Sequence, residues 1–313
     1  MADPALPLSV SAAEQASARR SMLIGVIALL FGACVIGFAP ILVKASALGP
    51  QATAFWRLVL ALPALALWLA LHRRQAGGAP GQPDLRYIVL AGIFFAGDLA
   101  FWHVGIRITT AANATLLANL TPIIVALFGW LIFRETVTRR FLIVCAVVMS
   151  GAGLLSAGNL AIDPDRLGGD LLCVITAFWY AAYLLAARKA RERASAPRVM
   201  LLSTLVAAPI ALIVTLAFGE DLLPASLEDW IPLILLGVVV HGLGQGAIMF
   251  GLGRVPAPVA ALLILIQPVV AAIAGWLIFD ETLSTIQIAG AAIILAGLYA
   301  AQARPAVVTA KPR

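Results

Sequence analysis

The chain has 313 residues, of which 62% are hydrophobic and only 12% are charged, and its mean hydropathy is +1.02. Soluble globular proteins carry about 25% charged residues because their surface faces water, so this composition excludes a water-soluble protein and indicates that much of the surface faces membrane lipid. The net charge of +6 does not indicate a nucleic-acid partner, because the basic residues are spread over short loops between apolar runs.

Ten apolar runs follow one another along the chain, each close to the roughly 20 residues that a helix needs to cross the hydrocarbon core. They predict spans near 22–44, 52–71, 87–106, 109–133, 138–158, 169–188, 198–218, 230–252, 257–279 and 283–303. The predicted fold class is therefore all-α and integral to a membrane. Two sets of five spans, 22–158 and 169–303, lie between terminal tails at 1–21 and 304–313.

Lysine and arginine residues are distributed very unevenly between the two ends of these spans. The end that holds the N-terminus has 17 of them: Arg19, Arg20, Arg73, Arg74, Arg86, Arg134, Arg139, Arg140, Arg188, Lys189, Arg191, Arg193, Arg198, Arg254, Arg304, Lys311 and Arg313. The other end has three, Lys44, Arg107 and Arg166, and Arg57 lies inside the second span. By the positive-inside rule, this distribution predicts that both termini are cytoplasmic.

An internal repeat relates the two sets of five spans. Residues 129–136 read GWLIFRET and residues 275–282 read GWLIFDET, a match at seven of eight positions. Pro122 pairs with Pro268 and Gly151 with Gly297 at the same spacing. Because each half has an odd number of spans, the second half must enter the membrane upside down. Inverted repeats of this kind are typical of secondary transporters, which bind their substrate near the midplane between the halves.

The two copies of the repeat resemble the signature of the drug/metabolite transporter superfamily, EamA type. The first copy reads GIRITTAANATLLANLTPIIVALFGWLIFRET and the second reads GLGRVPAPVAALLILIQPVVAAIAGWLIFDET, while FWR at 55–57 also suits the family. The resemblance implies ten helices in two inverted EamA repeats and export of small metabolites by alternating access. Within the superfamily the chain looks like the bacterial amino-acid exporters of the YddG kind.

Ionisable side chains inside spans are costly and usually face a cavity or the interior of the helix bundle. Asp98 and Trp102 on the third span are four residues apart and share a face, and His103, on another side of the same helix, is a further candidate to line the cavity. His241 and Gln245 on the eighth span, the counterpart of the third, are also four apart. The two pairs either line opposite walls of one cavity or form hydrogen bonds that hold helices together.

The sixth span carries Thr176, Trp179, Tyr180 and Tyr183 at positions i, i+3, i+4 and i+7. This stripe is favoured as a cavity wall that stacks an apolar or aromatic group or binds a cation over its rings. The alternative is an aromatic belt at the membrane interface.

Pro122 and Pro268 fall near the middle of the fourth and ninth spans. Each removes a helical hydrogen bond and frees the carbonyl group four residues earlier, that of Ala118 or Ile264. A freed carbonyl at this depth needs a partner, which is either a substrate ammonium group or another protein group at a simple hinge. Asn119 and Gln267 lie beside these positions and are further candidates to line the cavity.

Arg57 has two interpretations. It either binds a substrate carboxylate or extends from near the end of its span to the interface.

These features favour a secondary exporter of small metabolites, most of all amino acids, in the bacterial inner membrane. The alternative is efflux of cationic drugs by the same architecture, although the first span has no carboxylate between Met22 and Val43. An enzyme is not expected, since there is no HExxH motif or paired catalytic carboxylate, and no metal or cofactor is expected. Proton coupling, if the transporter has it, should use Asp98 or a histidine. A chain with both halves can form a complete pathway as a monomer.

Overall fold

The computed structural model of the protein describes residues 12–76, 83–109, 111–133, 138–156, 164–279 and 283–303, which contain helices and no strand. The helices are α1 (Ala12–Ile36), α2 (Ala39–Ala45), α3 (Pro50–Val59), α4 (Leu62–Ala76), α5 (Leu85–Ile108), α6 (Ala111–Ala118), α7 (Thr121–Phe133), α8 (Arg139–Ser156), α9 (Leu167–Arg191), α10 (Ala196–Ala217), α11 (Trp230–Ile234), α12 (Gly246–Leu252), α13 (Ala257–Ile264), α14 (Gln267–Phe279) and α15 (Thr285–Ala303). A 3₁₀ turn, Pro164–Arg166, precedes α9, and a π-helical segment, Leu235–Gln245, joins α11 to α12. The tails 1–11 and 304–313 and the last residues of the two repeated octapeptides, 134–136 and 280–282, lie outside the described residues.

Within the described residues, nine stretches are long and apolar enough to cross a membrane, and a shorter tenth follows them. They are span 1 (Glu14–Ala45), span 2 (Pro50–Arg74), span 3 (Leu85–Ile108), span 4 (Ala114–Ile132), span 5 (Arg139–Ser156), span 6 (Pro164–Arg191), span 7 (Ala196–Ala217), span 8 (Trp230–Leu252), span 9 (Ala257–Leu277) and span 10 (Thr285–Ala301). Large apolar side chains such as Ile27, Leu67 and Ile213 are exposed on the outside of the bundle, which suits a surface that contacts lipid. The predicted all-α membrane fold is confirmed.

Spans 1, 2, 4 and 9 are each made of two helices with a short break between them. A proline follows each break by at most a few residues: Pro40, Pro63, Pro122 and Pro268. Proline lacks an N–H group and its ring clashes with the carbonyl four residues earlier, so a continuous helix is disfavoured there. Pro209, by contrast, lies inside α10 without breaking it. The breaks expose backbone and polar side chains near the centre of the bundle.

Spans 5 and 10 pack backbone against backbone at two glycines. A Cβ atom on Gly290 would lie 2.6 Å from the carbonyl oxygen of Gly151, and a Cβ atom on Gly151 would lie 2.9 Å from the carbonyl oxygen of Gly290. Gly297, the repeat partner of Gly151, meets Val148 of span 5 as closely. The last span of each half therefore packs against its own counterpart, as expected for halves related by a twofold axis in the membrane plane.

The other contacts between the halves obey the same symmetry. Span 3 packs along span 6, and span 8 packs along span 1. Since span 8 is the counterpart of span 3 and span 1 is the counterpart of span 6, the two pairs are the same contact repeated. The central cavity lies between these pairs.

Candidate functional site

A cavity of about 80 Å³ lies at the centre of the bundle and is bounded by seven spans. Spans 1, 4 and 9 contribute residues on both sides of their breaks, an arrangement typical of substrate sites in transporters. The polar residues that line it are Arg57, Asp98, Thr115, Asn119, Thr121, Thr176, Tyr180, Gln245 and Gln267. The cavity is large enough for a few water molecules but is smaller than the roughly 300–1,000 Å³ of pockets that hold drug-sized ligands.

Arg57 of span 2 and Asp98 of span 3 are the two charged residues of the cavity wall. Arg57 is 3% exposed and Asp98 is 8% exposed. No ion pair within 4.0 Å joins the two side chains, and neither makes a hydrogen bond to another described residue. The Arg57 Nε atom is buried and has no acceptor among the residues that the structure describes. Buried charges are normally paired, so two charges of opposite sign that both face one cavity form a site suited to a ligand with the complementary charges.

Aromatic rings form the apolar part of the wall. Phe95, Trp102 and Tyr180 all line the cavity. The Arg57 guanidinium carbon lies 5.9 Å from the centre of the Phe95 ring, within the range of a cation–π contact. These rings offer apolar and aromatic surface beside the charged groups.

On span 3 the structure brings Asp98 and Trp102 into the cavity, as their spacing predicted, and places His103 elsewhere. His103 is fully buried outside the cavity lining, and its Nδ1 lies 3.1 Å from the carbonyl oxygen of Pro50. This histidine therefore ties span 3 to the start of span 2.

On span 8 only one of the two predicted residues lines the cavity. Gln245 reaches it, while His241 is buried behind the wall. The His241 ring stacks on Phe95 with the ring centres 5.0 Å apart, and its Nε2 lies 2.9 Å from the Thr204 hydroxyl oxygen. Both residues belong to the π-helical segment Leu235–Gln245, and the contacts with Phe95 and Thr204 hold the His241 ring behind the wall.

The predicted aromatic stripe of span 6 divides between three environments. Thr176 and Tyr180 line the cavity. Tyr183 is buried behind it, and its hydroxyl oxygen accepts a hydrogen bond of 3.1 Å from the Gln245 amide nitrogen. Trp179 lies outside the cavity, against Gly97.

Trp179 belongs to a second, apolar groove of about 490 Å³ on the side of the bundle. The groove runs between spans 3, 4 and 6, and its walls include Phe94, Phe128 and Phe178. Trp179 also stacks on Phe101, with ring centres 6.1 Å apart. The groove is open to the lipid side of spans 3, 4 and 6, so this tryptophan departs from the predicted position on the cavity wall.

The two central helix breaks both reach the cavity. Pro122, Asn119 and Gln267 line it, and Pro268 follows Gln267 at the start of α14. The Ala118 carbonyl, one of the two groups predicted to be freed, accepts a hydrogen bond of 2.7 Å from the Thr121 hydroxyl. The protein itself therefore satisfies that carbonyl. The Asn119 amide nitrogen is buried with no acceptor among the described residues, and it remains available to a ligand.

Arg57 lies deeper inside its span than its sequence position predicted. The structure begins span 2 at Pro50, so Arg57 lies seven residues, or about 10 Å, inside the span. The break at Leu60 and Ala61 follows directly. The sequence did carry one signal for this burial. Arg57 has no nearby acidic residue on its own span, so only another span or a ligand can match its charge.

The described residues contain no group of three or more His, Cys, Asp or Glu side chains placed to hold a metal ion. The cysteines Cys34, Cys145 and Cys173 are free thiols. The side chains that line the cavity offer charged, amide and aromatic groups for recognition.

Comparison with known proteins agrees with this architecture. The model of the EamA-like transporter family matches residues 23–157 and again 167–301. The chain is 27% identical over 237 residues to the pseudopaline exporter CntI of Pseudomonas aeruginosa strain UCBPP-PA14, which covers 73% of this chain and 79% of that protein. It is 29% identical over 213 residues to a probable amino-acid metabolite efflux pump of Salmonella typhimurium, covering 65% and 71% of the two chains.

One solved crystal structure shares the fold with a TM-score of 0.73 at 18% identity, covering 91% of this chain and 97% of the other. The two family matches together span most of the chain, one to each half. The chain therefore belongs to the EamA-like transporter family.

Proposed function

We propose that this transporter exports neutral, zwitterionic small metabolites, amino acids above all, across the bacterial inner membrane by alternating access. The observation that carries the proposal is the pair of buried, opposite charges in the central cavity, Arg57 and Asp98, which are not bonded to each other. A zwitterion carries a carboxylate for the guanidinium and an ammonium group for the carboxylate.

The charge balance of the cavity favours this class of substrate over others. The described wall holds one positive and one negative side chain, so a neutral zwitterion leaves no charge unmatched. A planar guanidinium suits a carboxylate through two parallel hydrogen bonds. A sugar would leave both buried charges without a counter-charge, and buried unpaired charges are costly.

The remaining wall fits the rest of an amino acid. The Asn119 amide nitrogen lacks an acceptor in the part of the chain that the structure describes, and it offers a second contact to a carboxylate. Phe95, Trp102 and Tyr180 suit an apolar or aromatic side chain. Because the cavity measures only about 80 Å³, binding requires the spans around it to separate, as alternating access demands.

Efflux of cationic compounds is the second candidate, because Asp98 lies close to aromatic rings that also attract cations. Arg57 opposes it. A buried guanidinium on the same wall repels a cation and would stay unmatched when that cation binds.

The names of similar proteins support export as the direction of transport and amino-acid metabolites as the class of substrate. One similar protein bears the name of an exporter, and another that of a probable amino-acid metabolite efflux pump. The charge distribution of the loops supports an inner-membrane orientation with both termini in the cytoplasm. We further expect a monomer to suffice, since one chain supplies every wall of the cavity.

The test is counterflow in proteoliposomes that contain the purified full chain. Vesicles preloaded with an unlabelled compound are given the same compound with a label, and uptake is compared for neutral amino acids, sugars and quaternary ammonium cations. The proposal expects accumulation of amino acids only. Accumulation of the quaternary cations without amino acids would establish the second candidate instead.

A further inference from the structure

The end of the bundle opposite the basic residues is closed by an arginine that reaches across two elements. Arg107, near the end of span 3, donates from its Nη2 atom to the carbonyl oxygen of Ser46 at 3.1 Å and to that of Leu48 at 2.5 Å. Ser46 and Leu48 lie in the turn between spans 1 and 2. The arginine therefore holds the end of span 3 against that turn.

Two more hydrogen bonds join the start of span 2 to span 3, on the side toward the cavity. The Gln51 side-chain amide donates to the carbonyl oxygen of Ala100 at 3.0 Å, and the His103 Nδ1 atom lies 3.1 Å from the carbonyl oxygen of Pro50. Gln51 and His103 are both buried. Together with the bonds of Arg107, these contacts between residues 46–51 and span 3 are named here the outer clasp.

The basic end carries a second set of bonds of the same kind. Arg188, in the last turn of span 6, donates to the carbonyl oxygen of Val255 at 2.6 Å. Arg191, the last residue of the same span, donates from its Nε atom to the carbonyl oxygen of Met249 at 3.1 Å. These bonds hold the end of span 6 against the end of span 8 and the turn that follows it, and they are named here the basic clasp.

The two clasps join equivalent elements of the two repeats. The outer clasp joins the turn after span 1 to the end of span 3. The basic clasp joins the end of span 6 to the end of span 8. Spans 6 and 8 are the counterparts of spans 1 and 3, so the inverted repeat places one contact at each end of the bundle, with the cavity between them.

We propose that the outer and basic clasps are the two gates of this transporter, and that each transport cycle opens them in turn. The bonds suit this role because each runs from a side chain to a backbone carbonyl across two separate elements, so each can break without disrupting a helix. Such bonds to charged donors stabilise the closed form of an end modestly. Breaking one clasp while the other holds gives a cavity open to one side only.

The outer clasp and the candidate substrate site involve the same two spans. Arg57 belongs to span 2 and Asp98 to span 3, the two spans that the clasp holds together. If the proposed function is right, a zwitterion bound to both residues draws spans 2 and 3 together. It therefore favours a closed outer gate until its contact with one of the two residues is released. This last step depends on the proposed function, whereas the assignment of the gates depends only on the clasps.

The test measures from which end a cavity residue can be reached. Cys34, Cys145 and Cys173 are replaced, and Ala271, a small residue of span 9 that lines the cavity, is changed to cysteine. The labelling rate with a membrane-impermeant maleimide is then measured in vesicles of both orientations, without substrate. Arg107→Gln should speed labelling from the outer end by about tenfold and slow it from the basic end. Arg191→Gln should have the opposite effect, and the double variant should return toward the parent.

A matched control is available in Arg140, whose Nη2 atom donates to the carbonyl oxygen of Ala300 at 2.7 Å. That bond joins spans 5 and 10, which belong to neither clasp, so Arg140→Gln should leave both labelling rates unchanged. Gln51→Leu and Arg188→Gln repeat the two experiments with independent bonds, in case an arginine variant fails to fold. Changes in the same direction for both clasps, or no change in either, would overturn the assignment. Amino-acid counterflow plays no part in this readout, so failure of the proposed function is seen separately.

Discussion

Replacement of Arg57 by glutamine should weaken substrate binding without weakening the fold. Arg57 is 3% exposed, and among the described residues its Nε atom has no acceptor and its side chain has no carboxylate within 4.0 Å. Its guanidinium carbon lies 5.9 Å from the centre of the Phe95 ring. A buried charge with so few partners contributes a desolvation cost to the folded state. Glutamine removes that cost, so the unfolding temperature of the substrate-free protein should stay the same or rise.

The same change should reduce affinity for a neutral amino acid substantially. A hydrogen bond to a charged group contributes about 1.5–3 kcal/mol, which corresponds to a loss of roughly 10- to 150-fold in affinity. Binding of a labelled amino acid to purified protein measures this loss, and thermal unfolding in the same detergent measures stability. Arg140→Gln is the control, because Arg140 has a carbonyl acceptor and does not line the cavity. A large fall in the unfolding temperature with unchanged affinity would refute the reasoning and make Arg57 a structural residue.

Three further predictions follow from the positions of individual side chains. Asp98→Asn should reduce amino-acid counterflow and leave the remaining flux independent of pH, while His241→Phe, which keeps a ring stacked on Phe95, should retain both the flux and any pH dependence; pH dependence that survives in Asp98→Asn and disappears in His241→Phe would assign proton coupling to the histidine. Gly290→Val should destabilise the pairing of spans 5 and 10 by about 1–3 kcal/mol, measured by chemical unfolding, because a Cβ atom there would lie 2.4 Å from the Leu155 nitrogen, whereas Gly153→Ala meets nothing within 4 Å and should be neutral. Trp179→Ala should leave the affinity for amino acids unchanged in binding assays, and a marked loss of affinity would indicate that Trp179 contacts the substrate.

The sequence was sufficient for the parts of the fold that depend on simple periodicity and length. Apolar runs predicted the spans, and proline positions predicted the breaks that reach the cavity. Asp98 and Trp102 share a face because span 3 is a regular α-helix, for which the angle between residues four apart is known in advance. The same argument failed for His241 and Gln245, because the His241 ring packs on Phe95 and contacts Thr204 behind the wall, and the spacing of residues along span 8 does not specify these contacts.

The remaining differences arise from packing that a single helix does not specify. Trp179 and Tyr180 are neighbours in sequence, yet one contacts Gly97 on the outer side and the other lines the cavity. Which flank of a stripe faces inward depends on how span 6 is rotated against span 3, and glycines on span 3 set that contact. The burial of Arg57 likewise depends on where span 2 begins relative to its neighbours, which hydropathy locates only within several residues.

The central claim is that Arg57 and Asp98 recognise the two charged ends of one zwitterion. The most direct test compares equilibrium binding of three matched compounds to the wild-type protein: a neutral amino acid, its amide, which lacks the carboxylate, and its des-amino acid, which lacks the ammonium group. The account predicts that the amino acid binds at least about tenfold more tightly than either analogue, because each analogue leaves one buried charge unmatched. Equal or tighter binding of the cationic amide would contradict it.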